Sequence, residues 1–201
     1  MNEKFFALPQ EKQDRILNAG FRVFSKNSYK KSPMLEIADE ADISKSLLFF
    51  YFKNKKELYL FLMKKAEEIT MEHVVSSGCY QEPDIFEMMY KGLLAKAELM
   101  RKYPDMSNFA LKAYYEDDED VKDELQKIIA PYKSIKTNTA IPKLDPNEYK
   151  EGLDLELMYQ DMYLASEGYI YQMQHQGDVD IDKVVSDYRR IINFWKQLYK
   201  R

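Results

Sequence analysis

The stretch Ser32–Leu58, SPMLEIADEADISKSLLFFYFKNKKEL, decides the fold of this chain. Ser32 followed by Pro33 predicts a helix start, because serine caps a helix and proline fits its first position. Asp42 stands at a break and tolerates the left-handed backbone of a tight turn. Ser44 then caps a second short helix. Two short helices joined by such a turn are typical of a helix-turn-helix, whose second helix enters the DNA major groove.

A third helix is predicted directly after this motif. Asn54 is a good cap residue, and Glu57 lies three positions later, which is the spacing of a capping box. Within the motif, a small apolar face is expected on the first helix, formed by Leu35, Ile37, Ala38 and Ala41. The three predicted helices together form a small DNA-binding unit.

A set of residues at fixed spacings surrounds this motif. The set is Ile16-Leu17-Asn18-Ala19-Gly20, Phe24, Tyr29, Ser32, Ile37-Ala38, Ala41, Ile43-Ser44-Lys45, Tyr51-Phe52 and Lys55-Lys56-Glu57-Leu58. Over residues 10 to 60, approximately, the chain resembles the DNA-binding region of the tetracycline-repressor (TetR) family of bacterial transcription regulators. It departs from the family at Ser28, Asp42 and Ser46, where glycine is common. The resemblance implies a helical body that binds a small molecule and pairs with a second copy.

The resemblance also implies a set of DNA contacts. These are Ser32, Lys45, Ser46, Leu47, Phe50, Tyr51 and Lys55. Ser32 is expected to bind a phosphate at a helix N-terminus, and Lys45 a guanine edge or a phosphate. Tyr51 and Lys55 match the tyrosine and the lysine with which the family contacts phosphates.

The expected recognition helix is unusually apolar, with Lys45 as its one charge. Leu47 and Phe50 are expected to face the groove, as is Ser46, while Leu48 and Phe52 face the core. Apolar side chains can meet thymine methyl groups but make no bidentate base contacts, which favours half-sites containing A·T pairs. The alternative is that the phenylalanines are scaffold and that DNA shape supplies specificity.

Composition and charge agree with a DNA-binding head on a different kind of body. The chain has 201 residues and a net charge of −4, long enough for one large domain or two small ones. Residues 1–56 hold 11 Lys/Arg and 7 Asp/Glu, whereas the remainder holds 19 and 27. We predict a helix-turn-helix domain over residues 1–54 and an effector-binding and dimerisation domain over residues 55–201. Statistical scatter is the alternative explanation of the charge asymmetry.

The sequence favours a cytoplasmic protein without membrane contact. Its longest apolar run, Leu47–Phe52, is far shorter than a bilayer span, and its first residues lack the apolar core of a secretory signal. Cys79 is the single cysteine and has no partner for an internal disulfide, which suits a reducing compartment.

Periodicity is helical nearly throughout, which predicts an all-α fold of about nine helices. The acidic run Glu116–Asp120 is interpreted as a solvated turn before a helix, with a functional acidic patch as the alternative. Residues 136–147 are predicted to be a long loop. The last two helices are expected over about residues 153–176, ending at Gly177, and 182–200.

The last helix carries two apolar bands where its own core needs one. The bands are Val184, Tyr188, Ile191, Trp195 and Leu198, and beside them Val185, Ile192 and Tyr199. We therefore expect a homodimer through the last two helices, which would suit a palindromic operator. Burial of this helix on both sides within one chain is the alternative.

The body is rich in Met and Tyr, a mixture that suits a pocket for an apolar or amphipathic effector. The candidate lining residues are Met89, Phe109, Tyr114, Met158, Met162, Tyr163 and Tyr169. Ordinary core packing is the alternative for each of them. No catalytic, metal-binding or cofactor motif is found, since His73 and His175 stand alone; we expect no enzyme activity, no metal and no cofactor.

The leading hypothesis is a ligand-responsive transcriptional regulator, a repressor that binds a palindromic DNA operator as a homodimer and is released by an unknown small effector. The alternative is a helical small-molecule-binding or interaction protein in which DNA binding is weak or lost. An all-helical enzyme has little support in the sequence.

Overall fold

The computed structural model describes residues 3–175 and 179–201, and these residues form nine α-helices and no strand. The helices are α1 Gln10–Lys26, α2 Met34–Glu40, α3 Lys45–Tyr51, α4 Lys55–Ser76, α5 Ile85–Lys102, α6 Pro104–Tyr114, α7 Lys122–Ala140, α8 Leu155–His175 and α9 Ile181–Tyr199. Short 3-10 turns lie between some of them. The predicted all-α class is confirmed. Gly177, the expected end of the eighth helix, lies outside the described residues.

Several helices begin at side chains that accept their first free N–H groups. Asn54 accepts the Glu57 N–H at 2.8 Å, and the Glu57 carboxylate accepts the Lys53 N–H at 2.8 Å. Asp84 accepts N–H groups at the start of α5, and Asp180 accepts one at the start of α9. These starts agree with the sequence reading to within two residues.

The prediction of a long loop over residues 136–147 was wrong for residues 136–140, which are helical. Helix α7 continues to Ala140, where Pro142 follows and a 3-10 turn begins at Ile141. Ala140 is fully buried among the residues of a hydrophobic core. A tertiary contact therefore extends the helix past residues whose local preferences favour a loop.

The chain divides into two compact units. The first contains residues up to Thr70 together with Lys102–Tyr132, and the second contains Met71–Arg101 together with Lys133–Arg201. These units interleave in sequence because α6 packs on α1 within the first. The boundary after residue 54 concerns functional domains and stays a prediction.

The core of the first unit is aromatic. The rings of Phe24 and Tyr59 lie 4.8 Å apart, and Phe109 of α6 lies 5.0 Å from Tyr59 and 5.5 Å from Phe21. Gly20 faces Leu62 so closely that a Cβ there would lie 2.7 Å from a Leu62 methyl group. This packing holds α1, α4 and α6 around the helix-turn-helix.

The core of the second unit is built from α5, α8 and α9. Its buried members include Phe86, Met158, Met162, Ile192 and Trp195. Methionine adapts to irregular gaps in such a core. No helix in the described part of the chain combines the length and the apolarity needed to cross a bilayer.

Ion pairs connect α9 to the start of α5. Glu87 accepts hydrogen bonds from Arg189 at 2.9 Å and from Lys196 at 2.7 Å, and Lys200 lies 2.8 Å from Asp84. The bonds from Arg189 and Lys196 hold the pKa of the Glu87 carboxyl below its ordinary value. The side chains of Glu87, Arg189 and Lys196 are partly exposed, so these ion pairs contribute only moderately to the free energy of unfolding.

We expect Glu87→Gln to lower the free energy of unfolding at pH 7 by about 1–3 kcal/mol, because two cations lose a charged acceptor. The folded-state pKa of Glu87 is lowered, so its contribution is present above the ordinary glutamate pKa of about 4.3 and is lost as the pH falls below it. Urea denaturation at pH 7 and pH 3 measures both values. Glu151→Gln, at an exposed position, is the matched control. An equal deficit at both pH values would contradict this expectation.

Candidate nucleic-acid interface

The turn between α2 and α3 has the expected left-handed residue. Asp42 has a φ of 54°, the one positive value at a non-glycine position in the described chain. The Ile43 N–H donates to the Ala38 carbonyl at 3.0 Å, which closes the turn. Arg15 lies 3.7 Å from the Asp42 carboxylate. The turn thus fixes α3 relative to α2 without the glycine that the resembled family often has.

Helix α3 begins at its predicted cap. The Ser44 hydroxyl accepts the Leu47 N–H at 3.1 Å and lies 3.0 Å from the Ser46 hydroxyl. Leu48 and Phe52 are fully buried, as expected. The helix is therefore anchored on one side by the core of the first unit.

The opposite side of α3 is open to solvent. Leu47 is 36% exposed and Phe50 is 46% exposed, and Lys45 and Ser46 are exposed beside them. The Lys45 ammonium lies 5.9 Å from the centre of the Phe49 ring. The predicted division of this helix into a core face and an outer face is confirmed. Contact of the outer face with DNA stays a prediction.

The structure places Ser32 differently from the sequence reading. Helix α2 starts at Met34 with Pro33 in the cap position, one residue later than predicted. Ser32 is 1% exposed, and its hydroxyl donates to the Ser28 carbonyl at 2.9 Å. Its hydrogen is therefore already used, and the side chain stabilises the loop before α2. In α2 itself, the expected burial of Leu35 was wrong, because this side chain is exposed and the neighbouring Met34 is buried instead.

Lys55 lies next to that loop. Its ammonium donates to the carbonyls of Lys30 at 3.0 Å and Ser32 at 3.4 Å, and lies 4.7 Å from the centre of the Tyr29 ring. An ammonium has three donors, so these two bonds leave one for a phosphate. Tyr51 is buried, and its ring packs 6.0 Å from Phe5. The phosphate contacts of Lys55 and Tyr51 stay predictions.

The acidic run after α6 is not a purely solvated turn. Glu116 accepts the Tyr29 backbone N–H at 2.9 Å, and Asp120 accepts the Tyr29 hydroxyl at 3.2 Å. Burial, followed by the Asp120 hydrogen bond, raises the pKa of Tyr29. Sequence reasoning missed this pairing because nothing local connects residues more than 80 positions apart. The carboxylates hold the loop that carries Lys30.

The candidate effector residues do not form one group. Phe109 is fully buried in the aromatic core of the first unit, and Tyr114 packs against the same core. The other candidates are in the second unit; they are Met89, Met158, Met162, Tyr163 and Tyr169. The Tyr169 hydroxyl donates to the Asp187 carboxylate at 3.2 Å, and burial raises the pKa of Tyr169 to about 12. Five of the seven thus remain candidates for a common site.

The described part of the chain contains no cluster of side chains that could hold a metal ion. No three His, Cys, Asp or Glu residues converge there. His73 lies 3.1 Å from Glu98 as a single pair. Cys79 is buried, which raises the pKa of its thiol.

A second outer face lies on α8 and α9. Leu157, Leu164 and Tyr171 follow one another at intervals of seven on α8, and Leu164 is 60% exposed. On α9, Phe194 is 59% exposed and Leu198 is also exposed. These exposed residues of α9 differ from the two predicted apolar bands. Leu198 was placed in the band of the core but is exposed, and Phe194 is exposed but was in neither band. Such a row of large apolar side chains is unusual for a monomer surface.

Comparison with known proteins agrees with this architecture. Residues 16–61 match the model of bacterial regulatory proteins of the tetR family. The fatty acid metabolism regulator protein of Bacillus subtilis (strain 168) is 23% identical over 155 residues, which cover 74% of this chain and 76% of the regulator.

Two solved structures share the fold along most of their length. A TetR family regulator from Chloroflexus aurantiacus J-10-FL has a TM-score of 0.67 and 20% identity, covering 100% of this chain and 98% of that one. The regulator FadR from Bacillus subtilis, solved in complex with stearoyl-CoA, has a TM-score of 0.69 and 18% identity, covering 90% and 96%.

A helix-turn-helix unit at the head of an all-helical body defines a class of DNA-binding transcription regulators. Within that class, the family model matches from the middle of α1 to the first part of α4. Residues 16–61 are therefore similar to the DNA-binding region of the bacterial regulatory proteins of the tetR family, and the chain as a whole shares the fold of the two solved regulators.

Proposed function

We propose that this protein is a cytoplasmic repressor that binds a palindromic operator as a homodimer and is released by an amphipathic effector. The observation that supports this best is helix α3, whose outer face is exposed while Leu48 holds its inner face in the core. A short helix fixed in this way can enter a groove as a rigid unit.

The proposed DNA contacts fall into two kinds. Lys45, Lys55 and Tyr51 contact phosphates and fix the orientation of the protein on the duplex. Leu47 and Phe50 contact base edges, and Ser46 faces the same groove. Phosphate contacts carry no sequence information, so specificity depends on the apolar pair and on DNA shape.

An A·T preference follows from this apolar pair. We expect substitution of thymine by uracil at contacted positions to weaken binding roughly threefold to thirtyfold, because Leu47 and Phe50 lose the methyl group they contact. Measuring the affinity for a set of singly substituted operators tests this. Strict requirement for guanine at several positions would contradict it.

The proposed dimer uses the outer face of α8 and α9. The rows that contain Leu164 and Phe194 would each meet their counterparts across a two-fold axis. A two-fold pair of heads matches the two half-sites of a palindrome. Burial of these side chains in a partner would also remove exposed apolar surface from α8 and α9.

The proposed effector carries a long fatty acyl chain. The second core contains the buried pair Met158 and Met162, with Met89 and Tyr169 at its margin. Flexible thioethers and amphipathic rings can rearrange around an alkyl chain. A relative is named a fatty acid metabolism regulator, and a similar structure holds stearoyl-CoA, which supports an acyl-CoA as the ligand class.

The test is fluorescence anisotropy with duplexes from the protein's own upstream region and with a shuffled duplex. We expect selective binding that stearoyl-CoA weakens and that coenzyme A alone does not. A tenfold weakening requires that DNA weaken effector binding tenfold, about 1.4 kcal/mol of coupling. Absence of selective binding even at low salt would contradict the proposal.

One observation favours the alternative, a helical ligand-binding protein that no longer binds DNA. Within α3 the single cation is Lys45, and phosphate attraction supplies much of ordinary DNA affinity. If stearoyl-CoA raises the melting temperature of the protein while no duplex shifts, this alternative is correct.

A further inference from the structure

The residues before α1 lie against the recognition helix. Glu3–Phe5 form a 3-10 turn, and Phe5 is 1% exposed. The Phe5 ring lies 5.0 Å from the ring of Phe52 and 5.8 Å from that of Phe61. This segment is therefore part of the core that holds α3.

Hydrogen bonds fix the same segment to α1. The Gln13 side-chain amide donates to the Leu8 carbonyl at 2.9 Å and to the Phe6 carbonyl at 3.3 Å. The Leu8 N–H donates to the Phe5 carbonyl at 3.2 Å. A residue carried by this segment has a defined position beside α3, unlike a residue on a free tail.

Lys4 is that residue. Its ammonium lies 5.3 Å from the centre of the Phe50 ring, and Phe50 is on the outer face of α3. The major groove is about 12 Å wide. If the Phe50 ring enters the groove, an ammonium at this distance from the ring lies within reach of a phosphate on the groove wall.

We propose that Lys4 is an additional DNA-binding residue that contacts a backbone phosphate flanking the groove entered by α3. The inference rests on the proposed operator binding and extends it. Lys4 and Lys45 then provide the recognition helix with two cations, although its own sequence has one. The contact fixes orientation and carries no base preference.

The experiment compares Lys4→Met with Lys4→Arg in the full chain. Methionine keeps an apolar stem over the Phe50 ring and removes the charge, whereas arginine keeps the charge. Affinity for the operator and for a shuffled duplex is measured by anisotropy over a salt series. Lys64→Met, at an exposed position about 13 Å along α4 from its start, is the control.

We expect Lys4→Met to reduce the slope of log K against log salt by about one per half-site, hence about two for a dimer. Its affinity should fall roughly threefold to tenfold on both duplexes, with Lys4→Arg and the control near the wild type. A wild-type slope retained in Lys4→Met would overturn the role of Lys4 while leaving operator binding intact. A wild type that binds no duplex would overturn both proposals.

Discussion

Replacing Leu164 with arginine is expected to turn the proposed dimer into a monomer. Leu164 is 60% exposed on α8, in the centre of the row formed with Leu157 and Tyr171. At a two-fold interface the change enters from both chains, and two unpaired guanidinium groups would be buried together. Burial of unpaired charge costs several kcal/mol, more than a moderate interface can offset.

Light scattering after size-exclusion chromatography gives the mass of Leu164→Arg directly. We expect about half the mass of the wild type, together with a roughly hundredfold or greater loss of operator affinity, because the two heads are no longer linked. Val75→Arg, which also places arginine at an exposed aliphatic position, is the matched control and should remain dimeric. A dimeric Leu164→Arg variant would show that α8 is not at the interface.

Replacing Phe109 with alanine is expected to cause the largest loss of stability. Phe109 is fully buried, and its ring contacts those of Phe21, Phe24 and Tyr59. Removing a buried phenylalanine side chain leaves a cavity and typically costs about 3–5 kcal/mol. Urea denaturation of the full chain measures the change in the free energy of unfolding.

The Phe109 variant also separates core packing from effector binding, since the sequence placed this residue among the candidate effector contacts. Phe6→Ala, at an exposed phenylalanine, is the control and should cost less than about 1 kcal/mol. If Phe109→Ala also lowered the free energy of unfolding by less than about 1 kcal/mol but greatly weakened stearoyl-CoA binding, Phe109 would be an effector contact.

The parts of the fold that could be predicted depend on local signals. The Ser44 cap and the pair Asn54 and Glu57 satisfy backbone groups within a few residues, so the sequence specifies them. Asp42 is a residue type that tolerates the left-handed backbone of the turn. The two faces of α3 were expected from the resemblance to the TetR family, which fixes the register of this helix. For this reason the helix-turn-helix was found without any knowledge of its surroundings.

The features that could not be predicted depend on contacts distant in sequence. Glu116 meets Tyr29 across 87 positions, and Ala140 extends α7 only because a core covers it. Ser32 has the residue type of a cap but is turned inward by the Ser28 carbonyl. Phe109 is an aromatic residue of the type that lines ligand pockets, and only its packing shows that it belongs to the core of the first unit.

The role of α3 can be tested most directly by placing a photo-reactive benzoylphenylalanine at position 50 and irradiating the protein on operator DNA. The account predicts cross-links to bases at two positions related by the operator dyad, with none from the same group at Tyr103, an exposed aromatic position on the same unit. Selective DNA binding without any cross-link from position 50 would contradict it.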